Sequence, residues 1–169
     1  MNGQELPSRH GFPLRAVIPG YYGMKQPKWL TEIEVVDDDY LGYWEERDWA
    51  DEAVVKTMSR IDVPRHRGQV SAVGEVIAGV AFAGDRGIHT VEYSHDDGQT
   101  WQAAQVKPGL SPYSWVLWAA PLQVPQEGEY LLVVRATDGQ GHRQEARITE
   151  PLPDGASGYH KLRIKVKNA

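Results

Sequence analysis

The chain of 169 residues contains no cysteine. Disulfide bonds and thiolate metal ligands are therefore excluded within it, and the redox state of its compartment cannot be read from cysteine usage. Long apolar runs are also missing, because no stretch of about 18 apolar residues, the length that a membrane-spanning helix needs, occurs in the sequence. The first residues, MNGQELPSRHG, are polar and lack the basic-then-apolar order of a signal peptide.

The chain has fewer cationic than anionic side chains, with 18 Lys and Arg against 23 Asp and Glu, and its net charge is −5. No basic stripe extends beyond the first thirty residues, so nucleic acid is not a predicted partner. Apolar residues make up 41% of the chain, beside 17 Gly and 11 Pro. This composition is typical of loop-rich globular protein, and the length accommodates one or two small domains.

The charges are unevenly distributed along the chain. Residues 31–52 contain ten carboxylates against Arg47 alone, whereas residues 1–30 contain four cations against Glu5. The four cations are Arg9, Arg15, Lys25 and Lys28. A locally positive segment within an acidic protein favours an anionic ligand.

The segment from His10 to Leu30, HGFPLRAVIPGYYGMKQPKWL, combines these cations with Gly and Pro turns. Arg15 lies in a short apolar strand pattern, and Lys28 precedes a second alternating pattern that begins at Leu30. An arginine fork, a lysine point charge and exposed loop N–H groups suit a phosphate, and His10 can donate to the same anion. The alternative from spacing alone is a turn-rich surface with solvated cations.

From Val63-Pro64 onward the pattern changes to short alternating strands separated by turns such as Asp96-Asp97-Gly98. About six or seven strands over about 100 residues predict an immunoglobulin-like β-sandwich, so the chain is expected to be mainly β. The lysine-rich last strand, residues 161–167, is expected at a sheet edge protected by charge. Trp101, Trp115 and Trp118 are interpreted as core or interface anchors, with a sugar-stacking platform as the alternative.

The first segment resembles the sulfite oxidase family of molybdopterin enzymes. The pattern H-G-F/Y-P-x-R, an apolar run, P-G and G, and then K-W-L recurs in that family's molybdenum-cofactor domain. The resemblance implies that five residues contact the pterin, chiefly around its phosphate. They are His10, Arg15, Gln26, Pro27 and Lys28.

The later segments resemble the dimerisation domain that follows in the same family. They include GVAFAGDRGIHTVEYSHDDGQTW, SPYSWVLW, GEYLLVVRATDGQG and GYHKLRIKV. The resemblance implies a homodimer and two parts: residues 1–63 as the C-terminal part of a molybdopterin-binding domain, and residues 64–169 as the immunoglobulin-like dimerisation domain. Residues 49–61 fit helical spacing, but the resemblance favours an extended linker.

Two departures from the family pattern matter. The family's molybdenum is held by a cysteine from upstream of this pattern, so we expect the chain to be the C-terminal portion of a longer enzyme, or else a short paralogue that has lost the metal. Neither a catalytic nor a metal-ligating residue is assigned, and Mo-molybdopterin is expected in the full-length enzyme rather than on this chain. Residues 152–155 also lack the arginine that animal and plant sulfite oxidases use for the oxyanion, which favours a bacterial relative whose substrate is open.

The function implied is part of an oxidoreductase that transfers an oxygen atom and passes electrons to an unidentified acceptor. This chain would supply pterin contacts and the dimer module and be inert alone. A stand-alone immunoglobulin-like dimerisation or carbohydrate-binding module is the alternative. The substrate and the compartment stay open, and the periplasm is one alternative for the full-length enzyme.

Overall fold

The computed structural model describes residues 2–71 and 74–167. The chain forms two compact units, one of Met1–Val55 with Glu150–Ala156 and one of Lys56–Thr149 with Ser157–Ala169. The first unit is thus completed by a loop inserted between the last two strands of the second. The sequence placed the change of domain at residues 63 and 64, a few residues further along the chain.

The second unit is a single curled sheet of eight strands in the order β1-β3-β6-β5-β4-β7-β8-β2. The strands are β1 (Met58–Val63), β2 (Gln69–Ser71), β3 (Val76–Phe82), β4 (Ile88–Ser94), β5 (Gln102–Lys107), β6 (Val116–Pro121), β7 (Gly128–Asp138) and β8 (His160–Lys167). All pairs are antiparallel except β2 with β8. The described residues contain no α-helix, so the prediction of a mainly β, immunoglobulin-like fold is confirmed.

The core follows from the alternation of side chains along these strands. In β8, Leu162, Ile164 and Val166 are at most 3% exposed, whereas the intervening Lys and Arg residues are exposed. Trp118 of β6, 2% exposed, packs in the same cluster and donates its indole N–H to the carbonyl of Val80 at 3.2 Å. The reading of Trp118 as a core anchor agrees with this position.

Strand β5 joins the two halves of the sheet. Residues 102–104 pair with β4, and residues 105–107 pair with β6. The strand therefore passes from one layer of the sandwich to the other, and the backbone hydrogen bonds continue through it. The lysine-rich β8 is not the edge, because β2 covers its C-terminal half and is itself the edge strand.

Buried polar groups in the second unit are well satisfied. Asp138, 1% exposed, accepts from Arg86 Nε at 2.9 Å and from the backbone N–H groups of Gln140 and His142. Burial raises the pKa of Asp138, but these donors outweigh it, so its pKa lies below the ordinary value. The Tyr93 hydroxyl lies 2.7 Å from the carbonyl of Pro121 and 2.7 Å from Gln102 Oε1.

The first unit has little regular structure. Its described residues form three short 3-10 turns, at Ser8–His10, Gly23–Lys25 and Glu45–Arg47. Residues 49–61 are not helical, as the extended alternative predicted, and residues 58–61 belong to β1. Residues 30–35, expected to be a strand, do not form one. Leu30 donates its N–H to the carbonyl of Leu14, but Ile33 is 80% and Val35 94% exposed, and the described part of the chain offers residues 31–35 no neighbouring strand.

No helix within the described ranges has the length and apolar character needed to cross a membrane.

Candidate anion-binding site

Gly11 lies next to Arg15 and Lys28, the two central cationic residues of the predicted site. Its φ is +116°, which favours glycine, and it is buried. A Cβ atom added there would lie 3.1 Å from Cβ of Lys28 and 3.2 Å from Cβ of Arg15. The side chains of Arg15 and Lys28 therefore both leave the backbone next to Gly11.

Backbone hydrogen bonds hold this arrangement. The N–H of Leu30 donates to the carbonyl of Leu14 at 2.9 Å, and the N–H of Ala16 donates to the carbonyl of Pro27 at 3.0 Å. The N–H of Trp29 donates to the carbonyl of Gly11 at 3.3 Å. These bonds place the segment carrying Arg15 beside the segment carrying Lys28, which the sequence alone could only suggest.

Arg15 has an unsatisfied buried donor. Its Nε is shielded from solvent and has no hydrogen-bond partner among the described residues. A buried guanidinium N–H without an acceptor costs about 1–3 kcal/mol or more, because it loses water without compensation. An anionic oxygen beside Nε would remove that cost, so this atom marks the point at which a ligand fits best.

Lys28 and His10 add further hydrogen-bond donors near Arg15. Lys28 Nζ lies 3.3 Å from the carbonyl oxygen of Arg9 and 5.5 Å from the ring centre of Trp29. An ammonium has three donors, so Lys28 keeps capacity for an anion. His10 Nε2 accepts from Arg9 Nε at 3.1 Å, which makes Nδ1 the ring nitrogen that can donate to a ligand.

Gln26 and Pro27 make backbone contacts in this structure. Gln26 Nε2 donates to the carbonyls of Ile18 and Tyr21 at 3.2 and 3.1 Å, which braces the turn between them. The carbonyl of Pro27 is the acceptor for Ala16 described above. The predicted pterin contacts of both residues stay predictions.

Lys25 belongs to a separate ion cluster that the sequence reading did not anticipate. Its Nζ pairs with Glu45 and with Asp51, the latter at 2.7 Å. The hydrogen bond from Lys25 lowers the pKa of Glu45, and the pKa of Lys25 is raised because the two carboxylates outweigh the effect of its burial. Lys25 is thus neutralised locally, and its partners lie in the acidic segment that follows in the sequence.

A resident metal site is not apparent in the described part of the chain, where no group of three His, Asp or Glu side chains is placed to hold an ion.

Comparison with protein families gives two matches in chain order. Residues 1–44 match the model described as oxidoreductase molybdopterin binding domain. Residues 51–167 match the model described as Mo-co oxidoreductase dimerisation domain. The second match covers most of the chain and coincides with the strands of the second unit.

Individual relatives agree with these matches. The mitochondrial sulfite oxidase of Mus musculus is 31% identical over 193 residues, covering 100% of this chain and 34% of the relative. The mitochondrial sulfite oxidase of Homo sapiens is 31% identical over 90% of this chain and 32% of its own length. The nitrate reductase [NADH] of Ulva prolifera is 29% identical over 96% of this chain and 23% of its own length.

Among solved structures, the sulfane dehydrogenase SoxCD from Paracoccus pantotrophus superimposes with a TM-score of 0.77 at 24% identity. The match covers 99% of this chain and 49% of that one, and it shows a shared fold. The chain spans about a third of the length of the mammalian sulfite oxidases that it matches. Taken together, the two family matches show that the chain belongs to the sulfite oxidase family of molybdopterin oxidoreductases and covers the end of the molybdopterin-binding domain and the dimerisation domain.

Proposed function

We propose that this chain is the part of a molybdenum-cofactor oxidoreductase that binds the pterin and forms the dimer. When bound, the cofactor supplies oxygen-atom transfer chemistry, with electrons passing to an acceptor that is still to be identified. The residues proposed to contact the pterin are His10, Arg15, Gln26, Pro27 and Lys28. The observation that carries the proposal is the buried, unsatisfied Nε of Arg15 beside Lys28.

The residues present fit the phosphate end of such a cofactor. Arg15 offers a planar fork of donors, and Lys28, whose side chain also starts next to Gly11, adds a mobile point charge. A doubly charged phosphate would neutralise both cations. The chain's own role is therefore to bind and orient the cofactor through its anionic end.

The proposal assigns a separate role to each of two parts of the chain. Residues 1–63 are proposed as the C-terminal part of the cofactor domain and residues 64–169 as the dimerisation domain. The chain contains no cysteine, so the metal-ligating thiolate implied by the family resemblance is absent from it. We propose that the chain alone is catalytically inert for that reason.

Substitution of Arg15 tests the site. In the full-length protein, Arg15→Ala removes a charge-assisted contact worth about 1.5–3 kcal/mol, so molybdopterin content per protein should fall by about tenfold or more at limiting cofactor. Arg15→Lys should recover part of the content, because the charge returns without the fork. Arg163→Ala, on the exposed face of β8, is the matched control. Unchanged cofactor content in Arg15→Ala would contradict the assignment.

The proposed homodimer has a suitable surface on the second unit. Val80 and Leu117 are cross-strand neighbours on the outer side of β3 and β6, and Leu117 is 55% exposed. Trp115, 51% exposed, stacks on Phe82 with ring centres 6.1 Å apart. We call the patch formed by Val80, Phe82, Trp115 and Leu117 the apolar face.

Charged residues flank the apolar face on both sides. On β1, next to Val80, Arg60 pairs with Asp62 at 2.7 Å, and on β5 Lys107 lies opposite Leu117 in the register. An isologous two-fold arrangement through this face would bury its apolar centre and leave these charges at the solvated rim.

The opposite side of the sandwich does not suit self-association. The exposed positions of β8 are Lys161, Arg163, Lys165 and Lys167, and all are cations. Two copies placed with these strands facing each other would repel. The contrast between the two faces supports the apolar face as the dimer interface.

The carbohydrate-binding alternative has no comparable support. Trp118 is buried in the core, and the guanidinium of Arg135 lies 3.8 Å from the ring centre of Trp101. Trp115 alone of the three predicted tryptophans presents a largely exposed ring, and it belongs to the apolar face.

A further inference from the structure

We infer that the first unit contains a binding site for a small uncharged aromatic molecule. The site is a cavity of about 490 Å³, which we call the aromatic cavity. Its wall is formed mainly by Tyr22, Met24, Trp44, Trp49, Pro151 and Pro153. The inference does not depend on the proposed cofactor site, which is built from other residues.

Two indole rings form one corner of the cavity. The ring centres of Trp44 and Trp49 are 6.2 Å apart and their planes meet at 77°. A flat ring placed in this corner can lie against the face of one indole and meet the edge of the other. These are the two arrangements that aromatic pairs prefer.

The opposite wall is fixed by the loop of residues 150–156. The carbonyl of Pro153 accepts from the N–H of Ala50 at 2.9 Å, so the loop is tied to the segment that carries Trp49. Gly155, with φ of +94°, packs directly against Tyr22, because a Cβ atom there would lie 2.6 Å from Cζ of the phenol. The cavity is therefore held open by three chain segments whose positions constrain one another.

The side chains that line the aromatic cavity favour a neutral ligand over an anion. Asp154 is the one ionisable carboxylate among the lining residues, and no lysine, arginine or histidine accompanies it. An anion would be repelled by Asp154 and would lose its hydration against apolar walls. The thioether of Met24 and the prolines add contacts that favour an aromatic ring without net charge.

The volume of the aromatic cavity is also appropriate for a small organic ligand. Cavities of about 300–1,000 Å³ hold small organic ligands, and the volume of the aromatic cavity lies in the lower part of that range. Ala53, 3% exposed, lies among the lining residues and leaves space where a larger side chain would fill the cavity. A monocyclic or bicyclic aromatic compound fits this space.

A matched pair of ligands tests the inference. The full-length protein that carries this chain is titrated with 2-naphthalenemethanol and with 2-naphthoate by isothermal titration calorimetry. The neutral compound should bind saturably at one site with a Kd of about 10⁻⁴ M or lower, as expected for an aromatic ligand of this size. The anion, which has the same ring system, should bind at least about tenfold more weakly.

Three variants make the test specific. Trp44→Ala, at a 43% exposed position, should weaken binding of the neutral compound by about tenfold or more. Asp154→Asn should improve binding of 2-naphthoate while leaving the neutral compound largely unaffected. Tyr113→Ala, at a 47% exposed aromatic position in the second unit, is the control and should change neither.

Three results would overturn the inference: absence of saturable binding, equal affinity for the two ligands, or unchanged affinity in Trp44→Ala. Molybdenum content measured on the same samples reports separately on the proposed cofactor site. A loss of one property without the other shows which of the two assignments fails.

Discussion

The backbone N–H of Ile61 donates to Nδ1 of His160 at 3.1 Å, which joins β1 to the start of β8 across the second unit. A neutral imidazole is required, because protonated Nδ1 cannot accept. Burial lowers the pKa of His160, and the nearby charge of Arg60 lowers it further, although Asp62 opposes this. The bond between the two strands therefore depends on pH.

The first prediction concerns this dependence. The unfolded-state pKa of histidine is about 6.5, and the folded-state pKa of His160 lies below it. The unfolded state therefore binds the proton more readily, so the stability contributed by neutral His160 is present above about pH 6.5 and is lost as the pH falls through the folded-state pKa. The loss should be about 1 kcal/mol, the usual worth of one hydrogen bond.

Urea denaturation at about pH 7.5 and about pH 5 measures this difference. His160→Asn keeps an acceptor that does not titrate, so it should reduce the pH dependence of the unfolding free energy. The difference between native protein and variant isolates His160 from the other histidines, including the neighbouring His66. Identical pH profiles would refute the role assigned to the Ile61–His160 bond.

The second prediction concerns Gly11. A valine there meets the stems of Arg15 and Lys28 and is strained at a φ of +116°. Gly11→Val in the full-length protein should therefore lower molybdopterin content about as much as Arg15→Ala, by about tenfold, by displacing both cations.

Gly3→Val is the matched control, because Gly3 also has a positive φ but nothing lies within 4 Å of an added Cβ. It should retain full cofactor content. Equal loss in both variants would show that backbone strain, rather than the position of the two cations, controls cofactor content.

The third prediction concerns the apolar face. Leu117→Glu places a carboxylate at its centre, where two copies would bring like charges together. The dimer dissociation constant should rise by about a hundredfold or more, which sedimentation equilibrium measures directly.

Arg163→Glu, on the cationic side of the sandwich, should leave the dimer intact. A native protein that is monomeric at all concentrations would remove the homodimer from the proposed function. A dimer that survives Leu117→Glu but is lost in Arg163→Glu would instead place the interface on the other face.

Alternation of side chains made most of the second unit predictable from sequence. Strands β3, β4, β7 and β8 lie where alternating apolar residues predicted them, because burial of one sheet face imposes a period of two. The same reasoning failed at residues 30–35. Alternation identifies which side chains share a face, but a strand also needs a neighbour for its backbone, and local sequence does not supply one.

The candidate site was predictable in part. Arg15 and Lys28 were identified by residue type and by the family pattern, but their convergence on Gly11 depends on pairing between segments more than ten residues apart. Lys25 contributes to the positive charge of the first thirty residues but was assigned no role in the site, and it is held by Glu45 and Asp51. Residues 150–156 belong to the first unit through contacts with residues that are distant in the sequence. No local sequence pattern predicts those contacts.

The passage of β5 between layers has a dynamic consequence. Because residues 102–104 pair with β4 and residues 105–107 with β6, the two layers cannot separate without breaking the hydrogen bonds of β5 to one of them. The amide protons of β3 and β7, in opposite halves of the sheet, should then exchange with solvent through the same opening event. The second unit would behave as one cooperative foldon rather than as two sheets that open independently.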